Sequence, residues 1–219
     1  MDLLSDDDQW EAFKAWIKQN GLALVAGVGI GVALLLGWRW WQERKETRAF
    51  AAGARYEKIL STFNNGDIDG AVKQIDELKR EYSDSAYVAP ADLAAARIFV
   101  ARKEFDKAAS HLKIVMDGAA DPLLRPVAKL RLGRVLIAQG KYDEAVTLLS
   151  GGDLGAYQAV YAEVRGDALL AKGDKAGALR EYEAASAARL KPDQSASGGN
   201  QDSADLLDLK LNDLRAEKT

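Results

Sequence analysis

Residues 130–145 read LRLGRVLIAQGKYDEA. The stretch holds a polar or glycine corner, here Gly140-Lys141, then an apolar residue, Tyr142, then an alanine, Ala145. The same order recurs in Gly66-Asp67-Ile68-Asp69-Gly70-Ala71, in Lys103-Glu104-Phe105-Asp106-Lys107-Ala108 and in Gly173-Asp174-Lys175-Ala176-Gly177-Ala178. The four alanines stand 37, 37 and 33 residues apart. Four residues after each comes Ile75, Leu112, Leu149 or Tyr182, on the next turn of the same helix face. Twelve residues before each comes Ile59, Ala96, Gly133 or Gly166. The last two are small, as a close crossing of two helices requires.

Helix–turn–helix repeats of the tetratricopeptide type have a period of about 34 residues. Leu132-Gly133-x-x-Leu136 matches the first helix of such a repeat, and the third and fourth units follow the pattern most closely. The chain has four prolines and no alternating Val/Ile/Thr runs. The expected fold is all-α: a single N-terminal transmembrane helix followed by a tetratricopeptide-like helical-repeat α-solenoid. One helical pair cannot bury its apolar stripe alone, so neighbours stack and the ends need caps. The repeat domain is expected over residues 42–190. Residues 42–63 lead into the first pair, with Tyr56, Ile59, Leu60 and Phe63 as an apolar stripe. Residues 191–203, KPDQSASGGNQDS, read as a flexible loop. Residues 204–219 read as a capping helix and tail, with Leu207, Leu211 and Leu214 at helical spacing and Leu206 beside them.

The other informative stretch is residues 20–41. Between Lys18 and Arg39 lie twenty residues, 19–38, without a charge. At about 1.5 Å per residue they make a helix of roughly 30 Å, the thickness of a bilayer's hydrocarbon core. The apolar side chains are Leu22, Leu24, Val25, Val28, Ile30, Val32, Leu34, Leu35 and Leu36, closed by Trp38, Trp40 and Trp41. With Trp10 and Trp16, all five tryptophans flank the run as aromatic belts do. A cleaved signal peptide is the rival reading. It wants a basic start and a small-residue exit, whereas residues 1–19 are acidic at Asp2, Asp6, Asp7, Asp8 and Glu11 and the exit is Gly37-Trp38-Arg39. Gly27-x-x-x-Gly31 offers a small-residue face for docking another membrane helix. Counting Lys14 and Lys18 before the run against Arg39, Arg44, Lys45 and Arg48 after it puts the C-terminal domain in the cytoplasm. Long domains translocate largely regardless of charge, so the count leaves orientation open.

Catalytic chemistry finds little to use. There is no cysteine, and His111 is the one histidine, so thiolate chemistry and histidine metal clusters are out. The net charge of -3 speaks against a nucleic-acid surface. Gly27-x-Gly29-x-Gly31 has no strand before it and is not a dinucleotide loop. Glu163 and Asp167 share a helix face, but without a third ligand type they read as a solvated face rather than a metal site. No cofactor is expected, and no enzyme. A partner groove is the better candidate. First helices of such pairs line the concave face, which projects Leu93, Arg97 and Val100 there, then Leu130, Arg134 and Ile137, then Glu163, Asp167 and Leu170. Apolar positions flanked by two arginines and then acids suit a peptide or partner helix. The plainer alternative is that the arginines neutralise those acids.

The order of WEAFKAWIKQNG (residues 10–21), a glycine-dotted run ending GWRWW, LRLGRVLIAQGKYDEA, AEVRGDALLAKGDKAGALREYEAA (162–185) and LLDLKLNDL (206–214) resembles the YfgM-type ancillary subunits of the bacterial SecYEG translocon. The resemblance covers nearly the whole chain. It implies a single-pass inner-membrane protein with residues 1–19 in the cytoplasm and the repeats in the periplasm. It also implies as partners the SecYEG translocon, a membrane-anchored periplasmic parvulin-type chaperone and exported client proteins. The expected function is a non-enzymatic, membrane-tethered protein–protein interaction subunit that links translocation to periplasmic chaperones. Two alternatives stay open, a membrane-anchored cytoplasmic scaffold and an outer-membrane assembly factor.

Overall fold

The structure is a computed structural model that describes residues 6–151, 155–189 and 201–216. The described residues are helical throughout, with no strand among them. In order the helices are α1 (Asp6–Asn64), α2 (Ile68–Glu81), α3 (Val88–Ala101), α4 (Phe105–Gly118), α5 (Leu124–Ala138), α6 (Tyr142–Leu149), α7 (Gln158–Lys172), α8 (Lys175–Arg189) and α9 (Gln201–Ala216). A 3₁₀ turn, Gly155–Tyr157, precedes α7. The chain divides into two compact units, Met1–Ala51 and Ala52–Thr219. The second unit begins at Ala52, ten residues after position 42, so residues 42–51 fall in the first unit. The loop expected at 191–203 lies outside the described residues up to 200, and residues 201–203 already belong to α9.

In the first unit α1 leaves its apolar side chains uncovered. Leu22 is 87 % exposed, and Val25, Ile30, Leu34, Leu35 and Trp38 are also open. A β-carbon on Gly27 or Gly31 would meet no described residue within 4 Å. Lys14, Arg44 and Lys45 lie over Trp10, Trp40 and Trp41. No single helix among the described residues is long and apolar enough to cross a membrane. Phe13–Ala23 and Val25–Asn64, bent by 48° at their junction, together have the length and apolarity for it. The break falls at residue 24. The single transmembrane helix expected over 20–41 is thus not found as one span, and the bent pair is what has that length and apolarity.

In the second unit the helices pair as the alanine spacing requires. Residues 52–64 of α1 pair with α2, α3 with α4, α5 with α6 and α7 with α8, and α9 closes the series against α8. Each pair turns a corner on a left-handed residue: Gly66 (φ 84°), Lys103 (φ 60°), Gly140 (φ 76°) and Gly173 (φ 94°). The next residue's N–H then reaches back five residues, from Asp67 to Thr62, Glu104 to Phe99, Lys141 to Leu136 and Asp174 to Leu169. This double-bonded helix stop favours glycine, and Lys103 accepts the left-handed strain instead.

Ala71, Ala108, Ala145 and Ala178 are fully buried, as are Ile75, Leu112, Leu149 and Tyr182 one turn on. A β-carbon on Gly133 would sit 2.7 Å from Leu149 Cδ1, and one on Gly166 would overlap the Tyr182 ring at Cε1 and Cδ1. The two helices of a pair therefore touch through these residues. A leucine tip can swing aside, but a buried ring cannot. Gly166→Ala is expected to destabilise the unit by about 1–3 kcal/mol, after any gain in helix propensity, with Gly133→Ala costing less. Urea midpoints of the two full-length variants test the order.

Consecutive pairs are also joined by a polar rung. Asp69 takes Arg102 Nη2 at 2.6 Å, Asp106 takes Gln139 Nε2 at 2.8 Å and Asp143 takes Lys172 Nζ at 2.5 Å. The acceptor stands two residues before each repeat alanine and the donor six before the next. These rungs are exposed, so they set register more than they stabilise.

Candidate partner-binding groove

The first helices of the second and third pairs, α3 and α5, flank an apolar cavity of about 310 Å³ floored by Phe105 and Leu112 of α4. α3 contributes Ala96, Arg97 and Val100, and α5 contributes Arg131, Arg134, Val135 and Ala138. A second cavity of about 340 Å³ lies between residues 56–63 of α1 and α3, lined by Tyr56, Leu60, Phe63, Leu93 and Ala94 among others. Arg97 and Arg131 line both, so the two cavities adjoin as one groove.

The charge of the groove is one-sided. Among the described residues no carboxylate lies within ion-pair distance of Arg97, Arg131 or Arg134. Arg97 sits over the Phe63 ring at 5.2 Å, a contact that leaves its N–H donors available. Burial pushes the Tyr56 phenol upward and Glu57 adds to this, while the Arg131 guanidinium pulls the other way.

Of the residues projected onto a partner face, Leu93, Arg97, Val100 and Arg134 line these cavities. Leu130 and Ile137 lie elsewhere: they pack toward α7, against Leu149, Tyr161 and Val164. The reason is geometric. A groove between successive first helices is walled by the far flank of one and the near flank of the next, and those flanks are not repeat equivalents. α5 turns Arg131, Arg134, Val135 and Ala138 toward α3, while Leu130 and Ile137, equivalents of Leu93 and Val100, face onward to α7. Glu163 and Asp167 are paired rather than open: Arg189 lies 2.7 Å from Glu163, and Lys210 of α9 lies 3.1 Å from Glu163 and 2.7 Å from Asp167. Leu170 is exposed and lines neither cavity. Arg131 escaped the sequence reading, although its place one turn before Arg134 on the same helix was a signal for it.

His111 belongs to a buried network. Its Nδ1 is 2.7 Å from Asp92 Oδ1, which also accepts from Lys79 Nζ at 2.6 Å, and its ring stacks on Phe99. Asp92 has no exposure, and its Oδ2 has no hydrogen-bond partner among the described residues. Among the described residues no group of His, Asp and Glu is arranged to hold a metal ion.

A model of the tetratricopeptide repeat-like domain matches residues 14–216. An ancillary SecYEG translocon subunit of Escherichia coli K12 is 32 % identical over 210 residues, 96 % of this chain and 97 % of that one. The chain belongs to this family. The ancillary SecYEG translocon subunit of Haemophilus influenzae is 26 % identical over 96 % of this chain and 98 % of its own length. Tetratricopeptide-like repeats of a putative kinesin light chain from Podosopora anserina align over 75 % of this chain and 94 % of theirs, at 19 % identity and a TM-score of 0.49. Like its relatives, this ancillary-subunit family member is a non-catalytic protein-interaction module on a tetratricopeptide-like fold.

Proposed function

We propose that the chain is a membrane-tethered, non-enzymatic interaction subunit of the SecYEG protein-export channel that captures a protein partner in the α3–α5 groove. The groove carries the reading: an open apolar channel with three arginines that meet no carboxylate among the described residues is surface kept for something else to cover. The relatives' names supply the channel. The bare apolar surface of residues 20–41, bounded by tryptophans, supports a membrane anchor, with Gly27 and Gly31 as the face for another membrane helix. The N-terminus is cytoplasmic and the repeats periplasmic, in line with the resemblance. There the groove meets exported chains or a membrane-anchored parvulin-type chaperone. Tethering raises the local concentration of the groove at the channel exit, so weak contacts suffice.

The chain has no cysteine, which makes topology accessible. Ser83 is exposed between α2 and α3. In cells with a permeabilised outer membrane, a membrane-impermeant maleimide is expected to label Ser83→Cys, and SecYEG is expected to co-purify with the full chain in mild detergent. Labelling only after lysis would put the repeats in the cytoplasm, as the Lys/Arg count has them, and overturn the topology. Absence of SecYEG would overturn the channel association.

A further inference from the structure

We infer that the groove between α3 and α5 takes an acidic amphipathic helix of a protein partner. The inference deepens the partner-capture reading and rests on it. One position of the repeat recurs on the crest of each first helix, directly after Ile59, Ala96, Gly133 and Gly166. It is occupied by Leu60, Arg97, Arg134 and Asp167.

At the fourth crest the occupant is part of the chain. α9 lays Leu207, Leu211 and Leu214 against Ala162, Ala178, Tyr182 and Ala185, and places Lys210 Nζ 2.7 Å from Asp167. The array therefore already binds one amphipathic helix, by leucines at helical spacing plus one charge set against the crest. At the second and third crests the charge is reversed, and among the described residues no carboxylate meets it. Arg97 and Arg134 have no carboxylate partner among the described residues, and neither has Arg131. Beside them Val100, Phe105, Leu112, Val135 and Ala138 form an apolar wall.

The chemistry that fits is the charge-inverted counterpart of α9. Leucine or phenylalanine side chains fill the cavity, and Asp or Glu carboxylates meet the guanidiniums in charge-assisted pairs. Arg131 and Arg134 are three residues apart, so carboxylates three or four apart on the ligand helix match them. An anion without apolar side chains would leave the wall uncovered, and an apolar helix without carboxylates would leave three guanidiniums desolvated and unpaired.

The probe is a dye-labelled synthetic peptide of residues 201–216 carrying Lys210→Glu and Arg215→Glu. Fluorescence anisotropy is read on the full-length chain in mild detergent. Saturable binding is expected that weakens as salt rises. Arg97→Glu with Arg134→Glu should weaken it by about tenfold or more. A second probe with Asp205, Asp208 and Asp213 changed to lysine should instead prefer the double variant. Ala138→Trp, which fills the groove with the arginines intact, should also weaken the acidic probe and does not depend on the double variant folding. Equal binding of both probes, or acidic-probe binding indifferent to both sets of substitutions, overturns the inference. So does a concentration-dependent dimer of the wild-type chain that the arginine substitutions abolish, because the occupant is then a second copy. SecYEG co-purification with the wild-type chain separates the failures. Retained SecYEG with failed probe binding removes only the acidic helix, whereas lost SecYEG removes the underlying reading.

Discussion

Tyr182→Ala is expected to lower the unfolding free energy of the repeat unit by about 3–5 kcal/mol. Tyr182 has no exposure, and its ring fills the space between α7, α8 and α9. On the α7 and α8 side its neighbours are Ala162, Ala178 and Ala185 with the backbone of Gly166 against the ring, too short to fill the cavity, and only the α9 leucines could move toward it. A site that cannot collapse gives the larger losses. The phenol also donates to Asp167 at 2.8 Å, and Lys210 lies over the ring at 5.5 Å, so α9 loses part of its seat. Urea unfolding of the full-length chain, followed by helical circular dichroism, should show a lower midpoint, and limited proteolysis should cut α9 earlier. An unchanged midpoint would remove the ring from the core.

Tyr182→Phe separates the ring from its hydroxyl and is expected to cost about 1 kcal/mol, because Asp167 keeps Lys210. Burial raises the phenol above its usual 10.0, and the bond from the hydroxyl to Asp167 and that carboxylate's charge raise it further. The folded state thus holds the proton more tightly than the unfolded one. That contribution is fully present below pH 10 and is lost as pH rises beyond it. Above pH 10 the wild-type chain should lose stability that Tyr182→Phe keeps.

The second large effect is expected at Asp92. Asp92→Ala should destabilise the chain by about 3–5 kcal/mol, since one buried oxygen answers both Lys79 and His111 and both lose their partner at once. Lys79 is 26 % exposed and His111 19 %, so neither can fully return to water without moving. Changing Lys79 to Met and His111 to Leu together with Asp92→Leu should recover much of the loss, because a buried network replaced whole by apolar side chains is often neutral or better. The urea midpoints decide it. A single variant as stable as wild type would show that the network contributes nothing.

The parts of this molecule differ in how readable they were. The repeat alanines and the residues one turn after them announced themselves, because each must fit between two helices and only a small or a shape-matched side chain does. The corners were readable for a similar local reason, since a left-handed residue there favours glycine. Half of the groove was readable, as the crest positions of first helices. Leu130 and Ile137 lie toward α7 rather than on these cavities, because a flank is defined by which neighbour it meets, and repeat spacing carries no such neighbour. Lys210 was invisible as a partner of Asp167, 43 residues away across the segment 190–200. The Asp92–Lys79–His111 network had no signal either, because its members come from three helices.

The amino-acid sequence by itself determined the helical repeat, the pairing of helices, the small residues at Gly133 and Gly166, the apolar run at 20–41 and the absence of thiol chemistry. Each follows from local geometry or from composition. The tertiary structure alone decided which charges are already spent and which are open. Glu163 and Asp167 are taken by Arg189 and Lys210, while Arg97, Arg131 and Arg134 are left facing an apolar groove. Charge pairing depends on distances across the fold, and those exist only once α9 has docked and the first helices have stacked.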